Sequence, residues 1–195
     1  YAFTALTPVR PGRQRQLRAS LSALRREAKS PFADVPGLHF ARWVLIDDVV
    51  YQGPAQRRDS WRNAYLLTTT TTDGTSDPLK RLCATLRDDA DQIWGHCVGY
   101  PGRHDVDAFV RYFRHNQIRT NRFFSGYPDA SVEDVLASLD THARLLDFAY
   151  RHQGDPRGDA DDAALQAAFL DTFQDTLRDP LRPDRPATPD RAGGH

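Results

Sequence analysis

The 195-residue chain has no methionine, only two cysteines and no net charge, Lys+Arg 26 balancing Asp+Glu 26. Each shortage removes a class of reading. A nucleic-acid or anionic-membrane binder normally carries a basic surplus or stripe. Here Arg and Asp alternate along most of the chain, so neither nucleic acid nor membrane is expected as a partner. No apolar run approaches the roughly 20 residues of a membrane span. No charged and apolar leader opens the chain, which starts at Tyr1 without an initiator methionine, and a cytoplasmic location is expected. Nor is there a Gly-x-Gly-x-x-Gly turn, a phosphate loop, a Gly-x-Ser-x-Gly elbow or a His-Glu-x-x-His pair. Rossmann hydride transfer, phosphoryl transfer and serine hydrolysis are demoted accordingly.

Cys83 and Cys97 both fall on the apolar stripe of one expected helix, 14 residues apart. That is about 21 Å along a continuous helix, and a disulfide needs Cα atoms within about 7 Å. Reduced core thiols follow, in keeping with a reducing compartment.

What is present is a regular alternation of elements. Tyr1–Val9 reads as a strand closed by Pro8 and Pro11-Gly12, and Arg13–Lys29 as an amphipathic helix with Leu17, Leu21, Leu24 and Ala28 on one stripe. Two strands follow, Leu38–Asp47 and Ala64–Thr72, separated by a loop containing Gly53-Pro54. The Thr68–Thr72 run suits a strand because β-branched residues prefer it. Asp77-Pro78 is a helix start, with Leu79, Leu82, Cys83, Leu86, Ala90, Ile93, Trp94 and Cys97 in helical period until Gly99-Tyr100-Pro101-Gly102. Asp105 caps a further helix, and Arg119–Tyr127 is expected to be a fourth strand. Ser131-Val132-Glu133-Asp134 resembles a capping box opening a helix to about His152, and a last helix covers Ala163–Arg178 after the acidic stretch Gly154–Asp162. We expect one α+β domain over 1–178 and an extended or disordered tail over 179–195, rich in Pro, Arg and Asp.

Strand, helix, strand, strand, helix, strand is the order of a ferredoxin-like βαββαβ antiparallel sheet with helices on one face, here with additional C-terminal helices. Both faces of Leu38–Asp47 are apolar: Leu38, Phe40, Arg42, Val44 and Ile46 on one, His39, Ala41, Trp43, Leu45 and Asp47 on the other. The first helices cover one face, so the other must meet the C-terminal helices, a second subunit or a ligand.

The segment Leu38-His39-Phe40-Ala41-Arg42-Trp43-Val44, the strand ending at Asp73-Gly74 and the order of elements resemble ferredoxin-like proteins of the dimeric α+β barrel type. That superfamily includes dye-decolorizing peroxidases, chlorite-dismutase-like haem proteins and small cofactor-free monooxygenases. The resemblance spans roughly residues 1–127 and lies in architecture more than motif. The peroxidases' Gly-x-x-Asp-Gly motif is matched only by Asp73-Gly74, with Thr70 at its first position, and those enzymes use two such domains. The resemblance implies a pocket on the open sheet face, a homodimer and an oxidoreductase acting on a small-molecule substrate.

The candidate catalytic residues are His39, Arg42 and Asp73. A single polar group among apolar neighbours has a shifted pKa and can bind an anion or move a proton. The alternative is a core histidine bonded to backbone, or an arginine paired with Asp47 or Asp73. His115 and Arg119 are the candidate cofactor residues, His115 as haem iron ligand and Arg119 on a propionate or bound oxygen species. Their structural alternative is a pair of cations completing a helix C-terminus. His96, Cys97 and His104 match no standard zinc spacing. Three functions are weighed: a haem-dependent oxidoreductase, a cofactor-free monooxygenase or isomerase with His39 as base, and a non-catalytic dimeric module that binds a ligand or partner.

Overall fold

The computed structural model describes residues 1–48, 53–54, 61–74, 77–153 and 162–178. The expected tail over 179–195, and all but the end of the acidic stretch over 154–162, lie outside them. The chain divides into two compact units, Tyr1–Ser125 and Gly126–His195.

In the first unit the order is β1 (Ala2–Pro8), α1 (Gln14–Leu24), a 3-10 turn (Pro31–Asp34), β2 (Leu38–Ile46), β3 (Tyr65–Thr72), α2 (Pro78–Ile93), a second 3-10 turn (Trp94–His96) and α3 (Val106–His115). β3 lies between β1 and β2 and is antiparallel to both, pairing Ala5 with Thr68 and Trp43 with Thr68 in one cross-sheet row. The result is an α+β unit with a three-stranded antiparallel sheet.

Strand alternation decides which face is covered. Phe3, Ala5 and Thr7 of β1, Val9 just after it, and Leu66, Thr68, Thr70 and Thr72 of β3 are buried, and Trp43 and Leu45 of β2 join the same core. The partner layer is the stripe of α2, Leu79, Leu82, Cys83, Leu86, Ala90 and Ile93, with Leu17 and Leu24 of α1 and Phe109, Val110, Tyr112 and Phe113 of α3. On the opposite face Phe40 is 77% exposed and Val44 39%. The threonine run is thus divided by the pleat, Thr68, Thr70 and Thr72 turned into the core.

Local signals account for the helix starts. The Asp77 side chain accepts the Lys80 N–H with Pro78 at the first helical position, and Asp105 accepts the Ala108 N–H. Two expectations are corrected. The segment Arg119–Tyr127 forms no strand; the chain meets β1 earlier, at a single bridge from Gln117 to Ala5 flanked by the bonds Leu6 N–H to Asn116 O and Ile118 N–H to Thr4 O. And α2 stops at Ile93, four residues short of Cys97. A 3-10 turn follows, and Cys97 is extended and bridges Val9. Gly95 interrupts the helical period at that point, since glycine disfavours helix interiors.

The second unit holds α4 (Val132–Arg151) and α5 (Asp162–Arg178). α4 opens on the expected capping box: the Asp134 N–H donates to Ser131 Oγ and the Ser131 N–H to Asp134 Oδ2. Phe148 meets Phe169 and Phe173 edge-on at centroid distances of 5.6 and 5.9 Å, and the Arg144 guanidinium lies over Phe173.

Both cysteines are free and buried, as expected, and burial pushes both thiols above their ordinary range. The reactive species is the thiolate. Native protein at pH 7–8 should therefore resist alkylation at both sites, while protein unfolded in guanidinium should label twice; mass spectrometry after iodoacetamide reads the difference. Prompt labelling of either thiol in native protein would contradict this core.

Candidate functional site

Two places in the first unit gather chemistry. The first is the end of the β2–β3 ladder. A register irregularity between Leu38 and Phe40 makes His39 the extra residue of a bulge, which turns its side chain toward Asp73. His39 Nε2 stands 2.6 Å from Asp73 Oδ1, with the two side chains 21% and 17% exposed. The Asp73 N–H donates to the Gly37 carbonyl at 2.8 Å, which ties the two chain segments together. Gly37 has φ +69°, and a Cβ there would sit 2.9 Å from Asp73 Oδ2. Only glycine fits this position, for both conformation and space.

The Asp73 carboxylate holds the His39 ring through Nε2 and so fixes its orientation. No hydrogen bond to Nδ1 is formed by any described residue. The pair is an imidazole oriented by a carboxylate. The pairing of His39 with Asp73 joins two of the three residues expected to be catalytic. Of the arginine alternatives, Asp47 is taken by Arg18, and Asp73 by His39.

The second place is a groove of about 560 Å³ along the side of β2 that β3 does not occupy. Its floor is Leu21 and Leu24 of α1, Phe32 of the 3-10 turn, and Trp43 of β2; Arg18, Arg25 and Arg42 stand around it with Glu27. Phe32 and Trp43 lie with centroids 4.2 Å apart. This groove lies at the sheet's edge, whereas a pocket was expected on the open sheet face. Arg42, the third catalytic candidate, is exposed and donates from Nε to Thr69 Oγ1 at 3.1 Å, so it lies on the groove's rim and apart from the His39–Asp73 pair.

His115 and Arg119 are both exposed, one in the last turn of α3 and the other in the irregular segment after it. Neither lines the groove, and Phe123, Phe124 and Tyr127 beside them are exposed too, at 51%, 84% and 82%. An axial haem ligand sits in an enclosed apolar site. The surroundings of His115 do not fit one. It shares the last turn of α3 with Arg114, whose positive charge the helix dipole favours there. Among the described residues no three His, Cys, Asp or Glu side chains gather as a metal site. His96 and Cys97 are neighbours in a turn: His96 is half-buried near Arg10 and Arg13, and the Cys97 carbonyl accepts a bond from Arg10 Nε at 3.0 Å.

The groove residues Arg18, Leu21, Arg25 and Phe32 were not among the candidates read from sequence. Arg18 and Arg25 look like the solvated face of an amphipathic helix, and Phe32 lies beside a Pro31 break; only the fold shows that all four face β2. Comparison with protein families, with curated proteins and with solved structures finds no match to this chain.

Burial, followed by the charges of Arg13 and Arg10, lowers the pKa of His96 below its ordinary 6.5. The unfolded chain then binds the proton more readily than the folded one. The neutral imidazole's contribution to stability is therefore full above pH 6.5 and lost as pH falls below it. Urea midpoints measured across this range should decline more steeply for the wild type than for His96→Gln. Parallel profiles for the two proteins would refute the assignment.

Proposed function

We propose that the first unit is a ferredoxin-like βαββα fold, its fourth strand reduced to the Gln117 bridge, and that it binds a small apolar molecule carrying an acidic group. The strand order β1-β3-β2, all antiparallel, and the bridge on the free side of β1 support the fold assignment. The groove beside β2 supports the ligand assignment. Its volume lies within the roughly 300–1,000 Å³ of small-molecule sites. An apolar floor of Leu21, Leu24, Phe32 and Trp43 takes a chain or ring, and the guanidinium groups of Arg25 and Arg42 offer planar forks to a carboxylate or sulfonate. Arg18 is less available because it is paired with Asp47. The single observation carrying this reading is the meeting of that floor and those arginines in one groove.

A medium-chain fatty acid is a suitable probe, because it supplies both halves of the ligand chemistry. Binding should change the fluorescence of Trp43. Leu21→Asp should weaken affinity at least tenfold by placing a charge on the floor, and Arg25→Glu several-fold by opposing the acid head. Binding that both variants leave unchanged would dispose of the groove as the site.

A second reading is favoured by the His39–Asp73 pair: a cofactor-free enzyme in which Asp73 orients His39, and Nδ1 removes a proton from the substrate. His39 is two residues from Ala41, a groove residue, or about 6–7 Å along the strand. Substrate turnover is the test once a bound small molecule has been identified by native mass spectrometry. His39→Ala should lower kcat by about 100-fold or more with little change in affinity, and Asp73→Asn should lower it less. Full turnover in His39→Ala would remove His39 as the base. Because His115 and Arg119 stand apart from the groove, no step is assigned to haem.

A further inference from the structure

We infer that α4 is the self-association helix of this protein, pairing in parallel with α4 of a second copy through the seam Leu136, Leu139, Ala143, Leu146 and Tyr150. These residues recur at spacings of three and four over fifteen positions, the apolar period of a two-helix seam. They do not face α5. The contacts with α5 come from Arg144 and Phe148, which lie about 150° around the helix at 100° per residue. α4 consequently has apolar side chains on two opposite sides, and only one of them is used within the hairpin.

The exposure of the seam is large. Leu136 is 59% exposed, Leu139 60%, Leu146 51% and Tyr150 76%. No residue of α4 is buried, and Phe173 is the one buried hydrophobic among the described residues of α5. A helix pair without a core does not hold itself together in water, since short helices depend on packing an apolar face. The four large seam residues expose roughly 500 Å² per protomer, at the upper end of the largest patch on an ordinary monomer and about two-thirds of the ~800 Å² each partner gives a standard interface. Val135, 42% exposed beside the seam, and the flanking polar residues supply much of the rest.

Charge selects the direction of the pair. One flank of the seam carries Glu133, Asp140 and Asp147 at intervals of seven; the other carries Val135, His142 and Ala149. In an antiparallel pair like flanks meet, and two rows of three carboxylates face each other, with Asp147 in each row paired to Arg151 of its own helix. In a parallel pair unlike flanks meet. Asp140 then lies beside Val135 of the second copy and Asp147 beside His142, with no carboxylate opposite another. A twofold axis parallel to the helices closes such a pair without leaving the seam open to further copies.

The full-length chain, followed by light scattering over a concentration series, should show twice the monomer mass. Leu139→Asp and Leu146→Asp should each raise the dimer dissociation constant at least tenfold, with far-UV circular dichroism reporting that the fold is kept. Direction is read separately, and without destabilising charge, by Leu136→Cys and Tyr150→Cys in two different preparations. Parallel register brings each position against itself, so each variant alone should form a disulfide-linked dimer under mild oxidation; Ser138→Cys, on another side of the helix, should not. The buried Cys83 and Cys97 leave the background low. A monomer at every concentration overturns the inference, and protection of α4 from hydrogen exchange in that monomer would assign the seam to another surface of the same chain. A dimer that resists both aspartate variants, or one in which neither cysteine variant cross-links, overturns it as well. None of these outcomes bears on the β2 groove, whose ligand binding is measured independently.

Discussion

A chain of aromatic rings crosses the core of the first unit, and most of what surrounds it takes its position from Trp94. Phe32 lies tilted against Trp43 at 4.2 Å, Trp43 meets Trp94 edge-on at 5.7 Å, Trp94 meets Phe113 at 5.1 Å, and Phe113 meets Phe3 at 5.5 Å. The path runs from the 3-10 turn through β2, the end of α2 and α3 to β1. Trp94 is fully buried and stands at the first residue after α2. Its ring anchors the end of that helix in the core, and the 3-10 turn it begins delivers Cys97 to Val9 and the Val98 N–H to the Pro8 carbonyl. Edge-to-face pairs are directional, each worth about 0.5–1.5 kcal/mol beyond the area they bury. The groove inherits this order, since its floor residues Phe32 and Trp43 are the outer end of the same chain. A ligand there would meet a wall already held by the core, which reduces the entropy cost of binding.

Local chemistry was legible wherever it acted within one turn or one strand. Asp77-Pro78, Asp105 and the Ser131–Asp134 box cap the helices they were expected to cap, because a capping bond spans three residues and needs nothing else. The pleat period grouped Trp43 with Leu45 and Phe40 with Val44, as the fold has them, but both faces were expected to be covered, and Phe40 is exposed. Leu38, grouped with Phe40, packs against the core because the bulge at His39 shifts the alternation. The failures lie where a tertiary contact outweighs the local pattern. Cys97 continues the apolar period of α2 on paper, yet its backbone is claimed by Val9, nearly ninety residues away. The fourth strand was sought among Phe123, Phe124 and Tyr127, which are apolar but exposed; the pairing to β1 goes instead to Gln117, which carries no strand signal at all.

The candidate site was legible by residue type and illegible by geometry. His39 and Asp73 are 34 positions apart and are joined by the antiparallel register of β2 on β3 together with a one-residue bulge. Alternation alone assigns His39 a face but not a partner. Gly37 is equally opaque in sequence, where Pro36-Gly37 is an ordinary turn; in the fold its missing Cβ is the space that Asp73 occupies. Arg42 was singled out for lying among apolar residues, and that property does place it on a groove rim, though not beside the imidazole it was expected to assist.

Both units retain apolar surface that their own elements leave uncovered, and the chemistry of the two surfaces differs. The open face of the sheet mixes Phe40 and Val44 with Thr69 and Thr71, and Arg42 bonds across it to Thr69. Threonine and arginine hydrate readily, and antiparallel sheets commonly keep one solvated face. The outer side of α4 has no such mixture: four large apolar side chains and an alanine form an unbroken line, with the charges confined to one flank. Hydrophobic free energy scales with apolar area, so the helix has far more to gain from a partner than the sheet. The resemblance to dimeric α+β barrels pointed toward association through the sheet face. Weighed by area, the surface in this chain with most to gain from the proposed second copy is the leucine seam of α4, while the sheet can remain in water and leave its edge to the proposed ligand.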